Sequence, residues 1–215
     1  MTAKKKPWVV AITGASGAIY GVRLCQELRK AEIPIHVIIT DAGWRVINEE
    51  LNWPINDRNA YFLQAIGSNE NANVILHPVK DIGASIASGS FLTAGMVVVP
   101  CSMGTLSNIA SGSSRNLLER TADVMLKEGR PLILVPRESP LHAIHIENML
   151  KLSRIGVSIV PAMPAFYHQP KSVMDIVDFL TGKLLDRMGI EHALFTRWGA
   201  DENDKSKNGS EDRSN

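Results

Sequence analysis

Short apolar, β-branched runs alternate with stretches of helical period along most of the chain. Trp8–Thr13 (WVVAIT) and Ile35–Thr40 (IHVIIT) are continuous enough to be buried strands. Between them, Ser16–Ala31 sets Tyr20, Leu24, Leu28 and Ala31 on one helical face. Met96–Pro100 (MVVVP), Leu132–Pro136 (LILVP) and Val157–Pro161 (VSIVP) predict further strands, and Val74–His77 a short one. Helices are predicted through Trp44–Leu51 and over Gly104–Ala110, Asn116–Lys127 and Leu141–Ser153. Ser172 with Asp175 forms an S-x-x-D start, after which Val173, Ile176, Val177, Leu180 and Leu184 recur at helical spacing. Asn52–Asn73 is polar and irregular, with no legible element, and no segment repeats.

Continuous apolar strands separated by helices imply a parallel sheet covered on both faces. Right-handed crossovers then give an α/β fold, a single-domain doubly wound sheet of Rossmann or flavodoxin-like type, mostly parallel. The length of 215 residues fits one domain. The expected division is an N-terminal extension over 1–7, the domain over 8–198, and a disordered tail over 199–215, because Asp201–Asn215 has no apolar residue.

Composition narrows the partners. A net charge of +1, with 45% hydrophobic and 21% charged residues, gives no global attraction to nucleic acid or an anionic membrane. Phosphate binding would have to come from a local basic cluster. Cys25 and Cys101 form no C-x-x-C pair and lack neighbours at metal spacing, so they read as small buried hydrophobes in a reducing compartment. Pro7–Thr13 is too short for a signal sequence core, and no run approaches the roughly 20 apolar residues of a membrane span. A soluble, cytoplasmic protein is expected.

In doubly wound sheets ligands sit beyond the carboxyl ends of the strands, so the residues following each strand are the candidates. After the first come Thr13-Gly14-Ala15-Ser16-Gly17-Ala18 and then Gly21, which suit either an anion at a helix start or close helix–sheet packing. The spacing is neither G-x-G-x-x-G nor a Walker loop. Thr40-Asp41 follows the second strand; Asp41 as a ribose acceptor would make a dinucleotide site, and as an N-cap it would be structural. Cys101-Ser102-Met103-Gly104-Thr105 follows the fourth and offers two hydroxyls and a glycine at a helix start, either as a cradle or as a cap. The small-residue run Ala84–Ser90 before that strand suits a loop lying against a ligand.

Arg137-Glu138 at the end of LILVP is the most informative pair. Arg can hold an anion bidentately and Glu can move a proton, and a position at a strand's carboxyl end favours that over a surface ion pair. In Pro161–Pro170, prolines 161, 164 and 170 stiffen a loop presenting Phe166, Tyr167 and His168, of which His168 looks the most exposed histidine. No aspartate-rich magnesium motif and no G-x-S-x-G elbow is present. A metal-free site that neutralises phosphate with cationic and N–H donors remains.

TGASGAIYG (Thr13–Gly21), PCSMGTLSNIASG (Pro100–Gly112), NLLERTADVMLKEGRPLILVPRESPLHAIHIENMLKLS (Asn116–Ser153) and PAFYHQP (Pro164–Pro170) together resemble the UbiX/Pad-type flavin prenyltransferases. The resemblance runs from Trp8 to Trp198 and is weakest over Asn52–Asn73. It implies transfer of the dimethylallyl group of dimethylallyl monophosphate to N5 and C6 of reduced flavin mononucleotide (FMN), without a metal. The product, prenylated FMN, would be a cofactor for a separate decarboxylase of the UbiD type. FMN would contact Gly14, Ala15, Ser16, Thr40, Ser102, Met103, Gly104, Thr105 and Arg137, with Ser16 near flavin N5. Lys127, Arg137, Tyr167 and Lys183 would hold the prenyl phosphate. Glu138 would transfer protons, and Glu50, also assigned to catalysis, would reach a neighbouring subunit's site. Ser88, Arg120 and Trp198 would wall the pocket of a homo-oligomer, expected to be a dodecamer. Thr40 stands where the family pattern has Ser. An FMN-dependent decarboxylase of the cysteine-decarboxylase type is the alternative, but its P-A-S-A-N-T stretch is PCSMGT here and its P-x-M-N-x-x-M-W stretch is not seen. A non-catalytic flavin carrier would need only the FMN contacts.

Overall fold

In the computed structural model, which describes residues 5–67, 73–195 and 197, the predicted strands pair into one parallel sheet. In chain order the elements are β1 (Trp8–Ile12), α1 (Ala18–Lys30), β2 (Ile35–Ile39), α2 (Asp41–Leu51), α3 (Arg58–Ala65), β3 (Val74–His77) and β4 (Gly95–Cys101). There follow α4 (Met103–Ala110), α5 (Leu117–Lys127), β5 (Leu132–Pro136), α6 (Ala143–Arg154), β6 (Ser158–Ile159) and α7 (Val173–Met188). The sheet order is β3-β2-β1-β4-β5-β6, all parallel. It is a doubly wound α/β sheet whose strand order reverses between β1 and β4.

Every residue of β1, β2, β4 and β5 is buried, as runs covered on both faces must be. Gly21 lets α1 lie on this layer, since a Cβ there would stand 2.5 Å from the Val99 carbonyl and 2.8 Å from Ile12. The edge strand β3 is only half-buried.

The structure alters several boundaries. Asn52–Asn73 contains α3, a helix the sequence did not reveal, whose one buried residue is Phe62. The α2 helix starts at Asp41 rather than Trp44, because the Thr40 hydroxyl accepts from Gly43 N at 3.0 Å and caps it. The β6 strand is only Ser158–Ile159, shorter than Val157–Pro161.

The chain divides into two compact units, Met1–Met163 and Pro164–Asn215. In the second, the predicted Ser172–Asp175 capping box forms, and α7 ends at Gly189 in the left-handed region (φ 72°). The tail from 199 and Trp198 lie outside the described residues.

On β2 and β3, His36 Nδ1 and His77 Nε2 are 2.7 Å apart and their rings stack at 5.0 Å. Burial, then the neighbouring His77, pushes His36 down to about 4; burial also lowers His77, against the opposing charge of Asp81. Between about pH 6.5 and pH 4 the unfolded chain therefore binds protons that the folded one refuses, so stability falls as pH falls. Urea unfolding at pH 5 should give a stability about 1–2 kcal/mol lower than at pH 7.5. His36→Gln, which cannot charge, should remove most of that slope; an undiminished slope would assign it to other groups.

Candidate active site

The loops after β1, β2, β4 and β5 meet at the point where strand order reverses. Thr13 is the clasp: buried, its hydroxyl donates to the Pro100 carbonyl at 2.8 Å and accepts from Ser102 N at 2.8 Å. Sequence reading treated Thr13 only as the start of the glycine loop. A hydroxyl ending an apolar run was the signal, too common to single out.

The glycine loop is tied to α2 as well. A Cβ on Gly14 would come within 2.5 Å of Ala42 Cβ, and one on Gly43 within 2.7 Å of the Ile12 carbonyl. Close packing thus explains Gly14 without a ligand. Ala15 is buried, while Gly14 and Ser16 are exposed. Gly17 is left-handed (φ 100°), and its N–H and that of Ala18 donate to the Glu50 carboxylate at 2.9 and 3.0 Å. An acidic side chain thus fills the α1 N-terminus, which the sequence left open for an anion. Glu50, expected at a neighbouring subunit's site, lies in this chain beside its own Ser16 loop.

After β4, the Ser102 hydroxyl caps α4, accepting from Thr105 N at 3.3 Å and donating to Thr105 Oγ1 at 3.1 Å. A Cβ on Gly104 would meet nothing within 4 Å, so the chain's own packing does not demand this glycine. Met103 points into the core and offers the crevice no more than its backbone. From the β5 end, Arg137 Nε donates to the Ser16 carbonyl at 3.3 Å. Glu138 is exposed beside it, its carboxylate accepting from Ser139 N at 3.1 Å. Among the described residues neither is in an ion pair, so the surface-pair reading fails.

The α5 helix supplies a basic wall. Arg120 donates to the Ala87 carbonyl at 3.2 Å and pairs with Asp123 at 2.8 Å. Ser88 is exposed in the same loop, its hydroxyl 2.9 Å from that of Ser90. Lys127 stands two turns beyond Arg120 along the same face of α5, paired with Glu128. Buried Glu119, which sequence reading missed, accepts from Asn108 Nδ2, Ser113 Oγ and Arg115 N at 2.8–2.9 Å and so fixes the α4–α5 connection. Burial pushes its carboxyl up, but these donors and the Arg115 charge outweigh that and hold it below the usual range. The Asn116–Glu119 spacing, an N-cap followed by an acid at N3, was the signal available.

In the second unit, Tyr167 packs edge-on to Phe179 at 5.6 Å, and Lys183 lies exposed on α7 one turn beyond Phe179. His168 is not the most exposed histidine: its ring stacks on Phe179 at 4.9 Å, with both nitrogens buried and unpaired.

Burial pushes both thiols up, Cys25 to about 12, so neither is a nucleophile near neutral pH. Among the described residues no group of His, Cys, Asp and Glu is arranged to hold a metal, and no helix is long and apolar enough to cross a membrane.

The fold and crevice find their counterparts among known proteins. A family model described as Flavoprotein matches residues 1–185, and the chain belongs to that family. Within it, the chain belongs with the flavin prenyltransferases of UbiX type: it is 56% identical over 209 residues to the flavin prenyltransferase UbiX of Halalkalibacterium halodurans, covering 96% of this chain and 100% of the relative. A crystal structure of AnUbiX (PadA1) in complex with FMN and dimethylallyl pyrophosphate is similar at TM-score 0.82 and 38% identity, over 91% of this chain and 98% of that one. A dodecameric FMN-dependent Ubix-like decarboxylase from Escherichia coli O157:H7 matches at TM-score 0.80 and 44% identity, over 90% and 100%.

Proposed function

We propose that this chain is a flavin prenyltransferase that joins the dimethylallyl group of dimethylallyl monophosphate to N5 and C6 of reduced FMN, yielding prenylated FMN. The observation that carries this reading is Arg137 bonded to the Ser16 carbonyl, with Glu138 alongside, at the crevice where the strand order reverses. The donor set fits a flavin phosphate: the Ser102 and Thr105 hydroxyls, the α4 N-terminus with open space over Gly104, and the Arg137 guanidinium.

When bound, reduced FMN supplies the nucleophilic ring atoms and the prenyl phosphate the allylic carbon. Gly14, Ala15 and Ser16 would contact the flavin, with Ser16 assigned to N5. Thr40, Ser102, Met103, Gly104, Thr105 and Arg137 hold the remainder. Lys127 and Arg137 would bind the prenyl phosphate, as fixed cationic donors that stabilise it while the C–O bond ionises. Glu138 accepts the ring proton released when the second bond forms. Glu50 orients the Ser16 loop through the Gly17 and Ala18 N–H groups. Ser88 and Arg120 would shield an allylic cation from water.

Assembly with copies of itself is supported by α6, which buries only Leu152 while Ile144, Ile146 and Leu150 are 62%, 53% and 48% exposed. We place the oligomer, a dodecamer, in the cytoplasm, handing its product to a decarboxylase.

The test is anaerobic incubation with reduced FMN and dimethylallyl phosphate, then mass spectrometry of the extracted flavin. A flavin heavier by one prenyl unit is expected. Unmodified FMN from a folded, flavin-loaded protein would favour the decarboxylase or carrier readings. Lys127→Ala should raise the prenyl-phosphate KM by about 10–100-fold, the worth of one charge-assisted bond, with FMN affinity within about 2-fold. Equal loss of both would refute its assignment.

A further inference from the structure

The end of α5 sets Lys127 in a charged arrangement whose other members, Glu128 and Arg130, the transfer reaction has not used. Lys127 Nζ is 2.6 Å from Glu128 Oε1, and the other carboxylate oxygen is 3.9 Å from Arg130 Nη2. Successive residues within a helix do not face one another, but Glu128 is the residue at which α5 stops, which frees it to turn back onto Lys127. Arg130 is fixed from the other side by the Gly89 and Phe91 carbonyls, the latter at 2.7 Å. Gly89 closes over the pair: a Cβ there would collide with Glu128 Oε1 and stand 2.8 Å from Lys127 Nζ. The ion pair is therefore nested beneath the Ser88–Ser90 loop. The Lys127 hydrogen bond and charge hold the Glu128 carboxyl below its usual range, with a smaller contribution from Arg130.

Such a half-exposed pair contributes little to folding, so stability does not account for it, and an incoming anion can displace the carboxylate. We infer that Glu128 is the resident counter-ion of Lys127, yielding the ammonium to one phosphate group, disfavouring the extra charge of a diphosphate, and hastening phosphate release. The inference rests on Lys127 as a phosphate ligand. A carboxylate left beside a bound phosphate repels it, and repels a second phosphate group more strongly.

Glu128→Gln keeps an acceptor for Lys127 and removes only the charge. In the full-length protein, inhibition of prenyl transfer by phosphate and by pyrophosphate should tighten, by about 3–10-fold for phosphate and by a further factor of about 3 for pyrophosphate. Selectivity for dimethylallyl monophosphate over the diphosphate, read as a ratio of kcat/KM values, should fall correspondingly. In a Lys127→Met background the Glu128→Gln effect should vanish. An active Glu128→Gln enzyme with unchanged inhibition by both anions would overturn the inference, as would an equal shift in the Lys127→Met background. A parent protein inert in prenyl transfer would overturn the functional reading and this inference with it.

Discussion

Replacing Glu138 by Gln is expected to leave FMN bound and to slow prenyl transfer by about 10²–10⁴-fold, the usual worth of a positioned general base. Glu138 is exposed at the carboxyl end of β5, next to the Arg137 that is bonded to Ser16, and among the described residues its carboxylate accepts from Ser139 N at 3.1 Å. Glutamine has the same shape and can accept that bond, so the loop should hold its conformation. What it cannot do is take up the ring proton. The variant should therefore keep a parental flavin affinity and thermal midpoint, with the loss confined to the rate of prenylated product under anaerobic single turnover. A rate within about 3-fold of the parent would assign the proton to another acceptor, such as the departing phosphate.

The second large effect is on the scaffold. Thr13→Val keeps the side-chain shape but removes the hydroxyl that accepts from Ser102 N and donates to the Pro100 carbonyl. The half-buried Ser102 N–H then loses its partner, and folding stability should fall by about 1–3 kcal/mol. Because these bonds clasp the β1 loop to the β4 loop, FMN affinity should fall too, by about 10-fold or more. Thr13→Ser, which keeps the hydroxyl and loses one methyl, should cost only about 1 kcal/mol and spare FMN binding. Urea unfolding together with flavin titration reads both effects. An unchanged urea midpoint in Thr13→Val would mean that the clasp carries no net stability.

The sheet was legible because strands buried on both faces must be apolar throughout, and WVVAIT, IHVIIT and LILVP leave no other reading. The rule that ligands gather at strand ends pointed to Arg137–Glu138 and to the loop after β1, which the structure joins through the Arg137–Ser16 hydrogen bond. The α3 helix was not. RNAYFLQA buries only Phe62, packed edge-on to Trp44 at 6.1 Å, and one buried position leaves no period. Thr13 escaped notice because its partners, the Pro100 carbonyl and Ser102 N, lie far from it in sequence, and Glu119 because its donors Asn108, Ser113 and Arg115 come from the connection before its own helix. Gly14 shows the opposite difficulty. Its glycine suggested a phosphate loop, whereas the demand for a missing side chain comes from Ala42.

Reduced flavin in air generates peroxide, so a protein built to hold it works beside an oxidant of its own making. Cys101 ends the strand that leads into the cradle, yet it and Cys25 are fully buried and held as thiols. Oxidation follows thiolate character and exposure, and these two have neither. In handling this protein, exclusion of oxygen protects the flavin, and the polypeptide itself presents no sulfhydryl for peroxide to attack.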